Sequence, residues 1–545
     1  MSRRARFSSI LQPLTTAQAG SENRGDREMR ASRIAAFICT ILCGLAVAGF
    51  AQVNVTTQHN DTMRTGQNLS ETVLTPSDVN VDGFGKLFSH FVSGQVYAQP
   101  LYLSNVSIPN QGTHNVIYVA TEEDQIYAFD ADSNQGSDAK ALWERSFTNP
   151  ARGITPVPSS DEGCGDLTPW IGITGTPVID PTTNTMYVVV STKENGAYYQ
   201  RLHALDVTTG QEKFGGPVSI RALRGPMVFN AQYEGQRAGL LLENGSVYIA
   251  WGSHCDITPY AGWLMAYSAS TLQQQAVFPT NNNYNLGGIW MAGSGVAADT
   301  DGNIFVATGN GKFTGGQDFG DSILKLDPSG NTFAVADFFT PANQSYLASN
   351  DLDLGSGGVM LLPDQPGSHP YLLVQSGKEG TIYIVDRTNM GKYNANSNSN
   401  LQTLYYAVGG MWSMPAYWNG YVYVWGEFDV IKAYSLTDGL LSSSPTSEGS
   451  HGVIYPGATP SISANGSTNA IVWAIESDAY GTGAAVLHAY DATNLATELY
   501  NSNQNSTRDN PGIAVKFTVP TVANGKVYVA EQNEMSVYGL LSGGK

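Results

Sequence analysis

Short runs of β-branched and aromatic residues recur in pairs along most of the chain, each alternating with polar positions and breaking at turn residues. The pairs share one grammar: an apolar run, a polar loop, then a second run ending in an Asp or Ser turn. The first two are Ile117-Tyr-Val-Ala-Thr121 with Ile126-Tyr-Ala-Phe-Asp130, and Met186-Tyr-Val-Val-Val190 with Leu202-His-Ala-Leu-Asp206. Six more follow, at 247–251 with 264–268, 304–308 with 323–327, 371–375 with 382–386, 421–425 with 431–435, 471–475 with 487–491 and 527–531 with 536–540. An upstream run such as Gly175-Thr-Pro-Val-Ile179, and often a downstream one such as Ala141-Leu-Trp-Glu144, completes four antiparallel strands per unit. One such sheet cannot bury both faces alone, whereas eight packed around an axis can, so the pattern predicts an all-β fold, an eight-bladed antiparallel β-propeller. A solenoid is the main competitor, and the chain ends argue against it. The eighth unit stops after Leu541 without a fourth strand, while residues 84–91 read as a strand with no unit of its own. Closing the ring with that N-terminal strand satisfies both, and packing around the axis leaves only short sheet edges exposed.

The N-terminus has a different pattern. Arg30 and Arg33 precede an apolar run over 34–50, followed by small residues suited to cleavage, which is the layout of a secretory signal peptide starting at Met29. Residues 1–51 are therefore expected to be leader, and 52–545 a single propeller domain in an exported, periplasmic or extracellular protein. The alternative is a membrane anchor, but the run is short of the roughly 20 apolar residues that a spanning helix needs. No membrane span is expected in the mature chain.

Composition refines this picture. The 59 Gly and 42% hydrophobic content suit many short strands and tight turns. The net charge of −18 disfavours nucleic acid, whose recognition needs a basic face. Cys39 and Cys43 lie in the leader, and Leu42 argues against lipid attachment at Cys43. Cys164 and Cys255 remain, and an even pair in an exported protein favours a disulfide, although spacing alone does not show that their loops meet. No Cys-x-x-Cys-His occurs, which excludes an attached c-type haem.

Loops between the second and third strands of each unit, with those entering each first strand, should line one mouth of the channel. They carry Glu122, Asp124, Lys193, Glu194, Asp256, Asp353, Lys378, Glu379, Glu427, Glu476 and Asp478. That excess of carboxylates suits a hard cation such as Ca²⁺, or else a solvated rim. Paired carboxylates among Asp256, Asp353 and Glu379, with flat faces from Trp290, Trp412, Trp418 and Tyr260, would also suit a carbohydrate-active propeller. His254 is the mouth histidine to single out. A noncatalytic scaffold that binds a protein partner at the rim is the third reading, since fold alone does not choose.

Further segments narrow the choice: His59-Asn-Asp-Thr-Met-Arg64 through Asn68, Leu74-Thr-Pro-Ser-Asp-Val-Asn80 before the strand at 84–91, and Ala128-Phe-Asp-Ala131 leading to Leu142-Trp143. With Thr308-Gly-Asn310, Asp351-Leu-Asp353 and Lys378-Glu-Gly380 in the same order, the chain resembles the quinoprotein alcohol dehydrogenase family over its whole mature length. The resemblance implies eight blades that bind pyrroloquinoline quinone (PQQ) through calcium and oxidise an alcohol or sugar. It implies Asp353 as catalytic base, Asp256, Asn310 and Asp353 around the metal, Lys378 in contact with the quinone, and Trp290 beneath its ring. The sequence departs from the family's pattern in having no adjacent Cys-Cys pair; the corresponding loop reads Ser191-Thr-Lys-Glu-Asn195. It departs again where His254-Cys-Asp256 replaces the segment with the metal-binding Glu, and where Leu352 stands before Asp353 in place of Trp.

Overall fold

The structure, a computed structural model, describes residues 53–542. The expected leader with Met29 lies outside the described residues. Within them, eight antiparallel sheets follow one another in chain order. The first consists of Leu101–Ile108, Gly112–Thr121, Gln125–Asp130 and Trp143–Ser146, paired in sequence. The other seven repeat this meander, and their first strands touch those of neighbouring blades around the channel. Among the described residues no helix is long and apolar enough to cross a membrane.

Two local signals in the repeat have structural causes. In blades one, two, five and seven the Asp that ends the third strand accepts backbone N–H bonds from the turn that follows. Asp130 Oδ1 accepts from Asp132 and Ser133 (2.8 and 2.9 Å), and Asp206, Asp386 and Asp491 do the same for Thr208, Thr388 and Thr493 at 2.8 Å. The Tyr of the second strand reaches the next blade at that same turn. Tyr118, Tyr187, Tyr423 and Tyr528 donate to the carbonyls of Val207, Ala269, Ala492 and Ala131, at 2.7–3.1 Å. Each of these phenols is buried at a blade interface and satisfied there, so the Ile-Tyr-Val phrase specifies how blades dock as well as that strands form.

Ring closure runs through the N-terminal strand. Phe84–Gln95 pairs antiparallel with Gln532–Leu540, from Phe84 opposite Leu540 to Gln95 opposite Gln532. The blade so formed also contains Thr521–Ala523 and Lys526–Ala530.

Residues 55–68 form a cord that bonds to all eight blades. Val55 exchanges backbone bonds with Tyr102, and Thr56, Thr62, Met63, Thr65 and Gly66 accept from Ile179, Ala298, Leu361, Tyr417 and Ile462 (2.7–2.9 Å). The third blade is reached by Arg64 at the Leu240 carbonyl (3.1 Å), and the eighth by Asn68 at Val522 (3.0 Å). Arg64 is fully buried and its guanidinium also donates to Val296, Gln58 and Thr57. Burial lowers its pKa to about 10, so it remains cationic at neutral pH. Arg64→Leu is expected to destabilise the fold by at least about 3 kcal/mol, because several buried oxygens lose their donor and each orphan costs about 1–3 kcal/mol. The midpoint of urea unfolding measures it, and Arg64→Lys, which lacks the planar fork, should recover only part of the loss.

Candidate functional site

Beyond the cord the channel opens into a cavity of about 560 Å³, within the range of cofactor sites. Arg237 forms part of its wall and also borders a much smaller cavity next to Gln58 of the cord. The large cavity is built by loops that enter the first strands. Arg237, Trp290, Asp353, Trp412, Tyr455 and Lys516 stand four to seven residues before the first strands of blades three to eight. Asp256, with Cys255, and Lys378 come from loops between second and third strands.

Trp290 is seated on glycine. A Cβ at Gly309 would fall 2.8 Å from its Cδ1, one at Gly252 2.9 Å from Cε3 and one at Gly288 3.0 Å from Cε2. No side chain fits at these positions, so backbone supports the indole, which lines the cavity with the Arg237 guanidinium 5.7 Å from its centroid. The indole Nε1 is buried and without a partner.

Asp353 sits at the centre of a polar cluster. Its Oδ1 accepts the backbone N–H of Asn310 at 2.6 Å, and its Oδ2 lies 2.7 Å from Lys378 Nζ. Lys378 also pairs with Asp351 at 2.8 Å, and Asn310 Nδ2 donates to the same Asp351 oxygen at 2.7 Å. Asn310 Oδ1 is left buried with no partner. Burial opposes the charge on Lys378, but Asp353 and Asp351 outweigh it and raise its pKa. Burial also raises the pKa of Asp256, whose carboxylate accepts from Tyr260 and feels Asp353 and Asp351. Beneath the cluster Asp321 is fully buried, and burial with the nearby Asp353 charge pushes its carboxyl well above the usual range.

A second group faces the same cavity. Asp166 ion-pairs with both Arg237 and Lys516. Burial would raise the Asp166 pKa, but the two cations prevail and hold it below the usual carboxylate range. Lys516 stands 5.2 Å from the Tyr480 ring centroid and 5.7 Å from that of Tyr455. Two cations on one carboxylate leave this wall net positive.

Trp290, Asp256, Asp353 and Lys378, expected at the site, thus line one cavity, and Asn310 is bonded into it. Cys164 and Cys255 are joined by a disulfide with Cα atoms 5.8 Å apart, and Cys255 lines the same cavity. The rim inventory needs correction. Glu122 and Asp124 are buried, with Glu122 accepting from Gly172 N–H and the Thr174 hydroxyl and raised by burial to about 7. Of the proposed sugar-stacking rings, Trp290 and Trp412 line the cavity, while Trp418 is buried in its blade and Tyr260 is fully buried behind Asp256. His254 is buried, and burial with the Arg237 charge lowers it to about 4, so it is neutral. Asp166, Arg237, Tyr455, Tyr480 and Lys516 carry no local motif, and Asp351, although part of the Asp351-Leu-Asp353 motif, was given no role by it. The signal for four of the six cavity residues before first strands was blade register, because Arg237, Tyr455, Lys516 and Trp412 occupy the positions where Trp290 and Asp353 stand in theirs. A separate cavity of about 450 Å³ beside blades two and three is lined by Tyr198, Tyr199, Phe229 and Tyr284, with Arg221 its one charged residue.

No family profile and no curated protein matches the sequence. Solved structures do resemble the fold. A quinohemoprotein alcohol dehydrogenase from Pseudomonas putida HK5 superposes with a TM-score of 0.59 at 13% identity, over 90% of this chain and 80% of that one. The quinohemoprotein alcohol dehydrogenase from Comamonas testosteroni gives 0.58 at 14% identity, over 92% and 82%. A europium-containing methanol dehydrogenase gives 0.57 at 12% identity, over 90% and 98%. At such identities the likeness is one of fold.

Proposed function

We propose that this chain is an exported quinoprotein dehydrogenase that oxidises an alcohol or a sugar with PQQ and calcium. The observation that carries the reading is the cavity itself, where a glycine-seated indole, three cations and an orphaned buried amide oxygen converge. A flat tricarboxylate quinone needs an aromatic platform, positive charge at its edge and hard oxygen donors beside it. Trp290 is the platform, and Arg237, Lys516 and Lys378 are the cations. Asn310 Oδ1, a buried acceptor with nothing to accept, joins the carboxylates of Asp256 and Asp353 as the oxygen set for the metal. The disulfide, contributed by two distant loops, stands at this cavity in a chain with no adjacent Cys-Cys pair.

When bound, the quinone supplies an electrophilic acceptor for hydride. The remaining work belongs to the protein. Asp353 takes the proton of the substrate hydroxyl at Oδ2, the oxygen now beside Lys378 Nζ. Lys378 holds that carboxylate in place, and Trp412 and Tyr455 give the substrate's carbon skeleton an apolar wall. The leader-like N-terminus and the disulfide support export to an oxidising compartment.

PQQ added with Ca²⁺ is expected to quench tryptophan fluorescence, neither component alone doing so, and Trp290→Ala should weaken the response. Absence of quenching with both present overturns the reading and leaves the cavity to a carbohydrate ligand.

A further inference from the structure

Away from the channel, one set of three imidazole and carboxylate groups among the described residues brings its ligand atoms within 4.8 Å of one another: His451, Glu476 and His488. His451 lies on the outer strand of blade six, Ser447–Val453, and the other two lie on Thr468–Glu476 and Val486–Asp491 of blade seven. His488 stands opposite Ala474, so Glu476, two residues on, shares its face of the sheet. His451 Nε2 is 2.7 Å and His488 Nε2 3.0 Å from the same oxygen, Glu476 Oε2.

The surroundings of His488 decide what that oxygen and those nitrogens are arranged for. Its ring is 2% exposed, and its Nδ1 is 2.7 Å from Glu498 Oε1, while Glu498 Oε2 accepts from Asn501 at 3.0 Å. The Glu498 carboxylate at Nδ1 fixes the ring so that Nε2 is the nitrogen turned toward Glu476. Without an ion a proton on Nε2 bridges this imidazole to Glu476, and a metal ion bound there takes that proton's place. The carboxylate–imidazole arrangement behind Nδ1 is the one that orients metal-bound histidines. The Asp478 carboxylate is close enough to interact with Glu476 and both imidazoles, and its Oδ1 is buried without a partner. His451 is 44% exposed, which leaves an entry path and room for a water.

We infer that His451, Glu476 and His488 form a site for a divalent transition-metal ion of the zinc class that ties blade six to blade seven. Two imidazoles and a carboxylate select such an ion over Ca²⁺ or Mg²⁺, which prefer all-oxygen sets. A tetrahedral ion at about 2.05 Å holds its ligands about 3.3 Å apart. The present separations therefore open by a few tenths of an ångström, which the exposed His451 accommodates. The fourth position is a water, and Glu498 is a positioning residue.

The test uses the chain without affinity-tag histidines, stripped with chelator and dialysed against Zn²⁺, with Co²⁺ as spectroscopic probe. Wild type is expected to hold one Zn²⁺ that His451→Ala loses, to show tetrahedral Co²⁺ absorption absent from that variant, and to gain thermal stability from Zn²⁺ where the variant gains none. Excess Ca²⁺ should not compete. Glu498→Gln should weaken Zn²⁺ binding about 10- to 100-fold. Equal Zn²⁺ binding by wild type and His451→Ala, or no binding by wild type, overturns the site and makes the cluster a proton-bridged pair of histidines.

Discussion

Deletion of residues 84–91 is expected to abolish the cooperative thermal transition of the whole propeller. The closing strand binds three blades at once. Phe84 is fully buried, with its ring 5.4 Å from Trp473, 5.0 Å from Tyr500 and 6.3 Å from Tyr538. Behind it Lys86 N–H bonds Asp509, and Arg508 donates to the Phe84 carbonyl. At the other end His90 stacks on Phe129 of the first blade at 4.3 Å and bonds the Asp130 carbonyl at 2.9 Å. Removing the segment strips the ladder from Gln532–Leu540 and uncovers the apolar faces on both sides of the seam. Phe84→Ala alone should cost about 3–5 kcal/mol as a large core deletion, so loss of the strand exceeds the stability of an ordinary domain. Calorimetry is the measurement, and a deletion variant that keeps the wild-type transition refutes closure as the source of stability.

Asp353→Asn should reduce dye-linked alcohol oxidation about 10²- to 10⁴-fold in protein reconstituted with PQQ and Ca²⁺, the usual worth of a general base. The amide keeps an oxygen at the same position, so PQQ-dependent quenching of Trp290 should survive. That separation distinguishes a base from a residue that merely shapes the cavity. Asn310 N–H and Lys378 Nζ now lie against the two Asp353 oxygens. An Asn there satisfies the first contact and loses the ion pair, which should also loosen Lys378 from its place beside Asp351. Oxidation at the wild-type rate removes Asp353 from the role.

The elements of the fold were legible because their signals are local. Period-two alternation, the Asp or Ser turn that ends the third strand and the Tyr that docks on the next blade all act within a few residues or at a repeated place, so eight units and an unpaired N-terminal strand can be counted along the chain. Part of the site was legible for a similar reason: Asp256 and Lys378 stand in loops between second and third strands, and Asp353 and Trp290 stand close before first strands, whereas Asn310 was reached only through the resemblance of Thr308-Gly-Asn310. The cord from 55 to 68 was not. Its segment looked like an opening motif, but its task of bonding every blade exists only once the ring is closed. The cations of the cavity were equally hidden, since Arg237 and Lys516 are 279 residues apart in a chain whose blades differ in length, and only closure brings both to Asp166. The same is true of His451 reaching Glu476 on the next blade, whereas the Cys164–Cys255 pair, 91 residues apart, was expected from the even count and needed the fold only to bring its loops together. Sequence by itself determined the strands, the turns and the number of blades, because hydrogen bonding and side-chain alternation are short-ranged. Only the tertiary structure decided which charges share a cavity, because charges in a low-dielectric interior are selected by their neighbours in space, and a ring makes neighbours of residues from opposite ends of the chain.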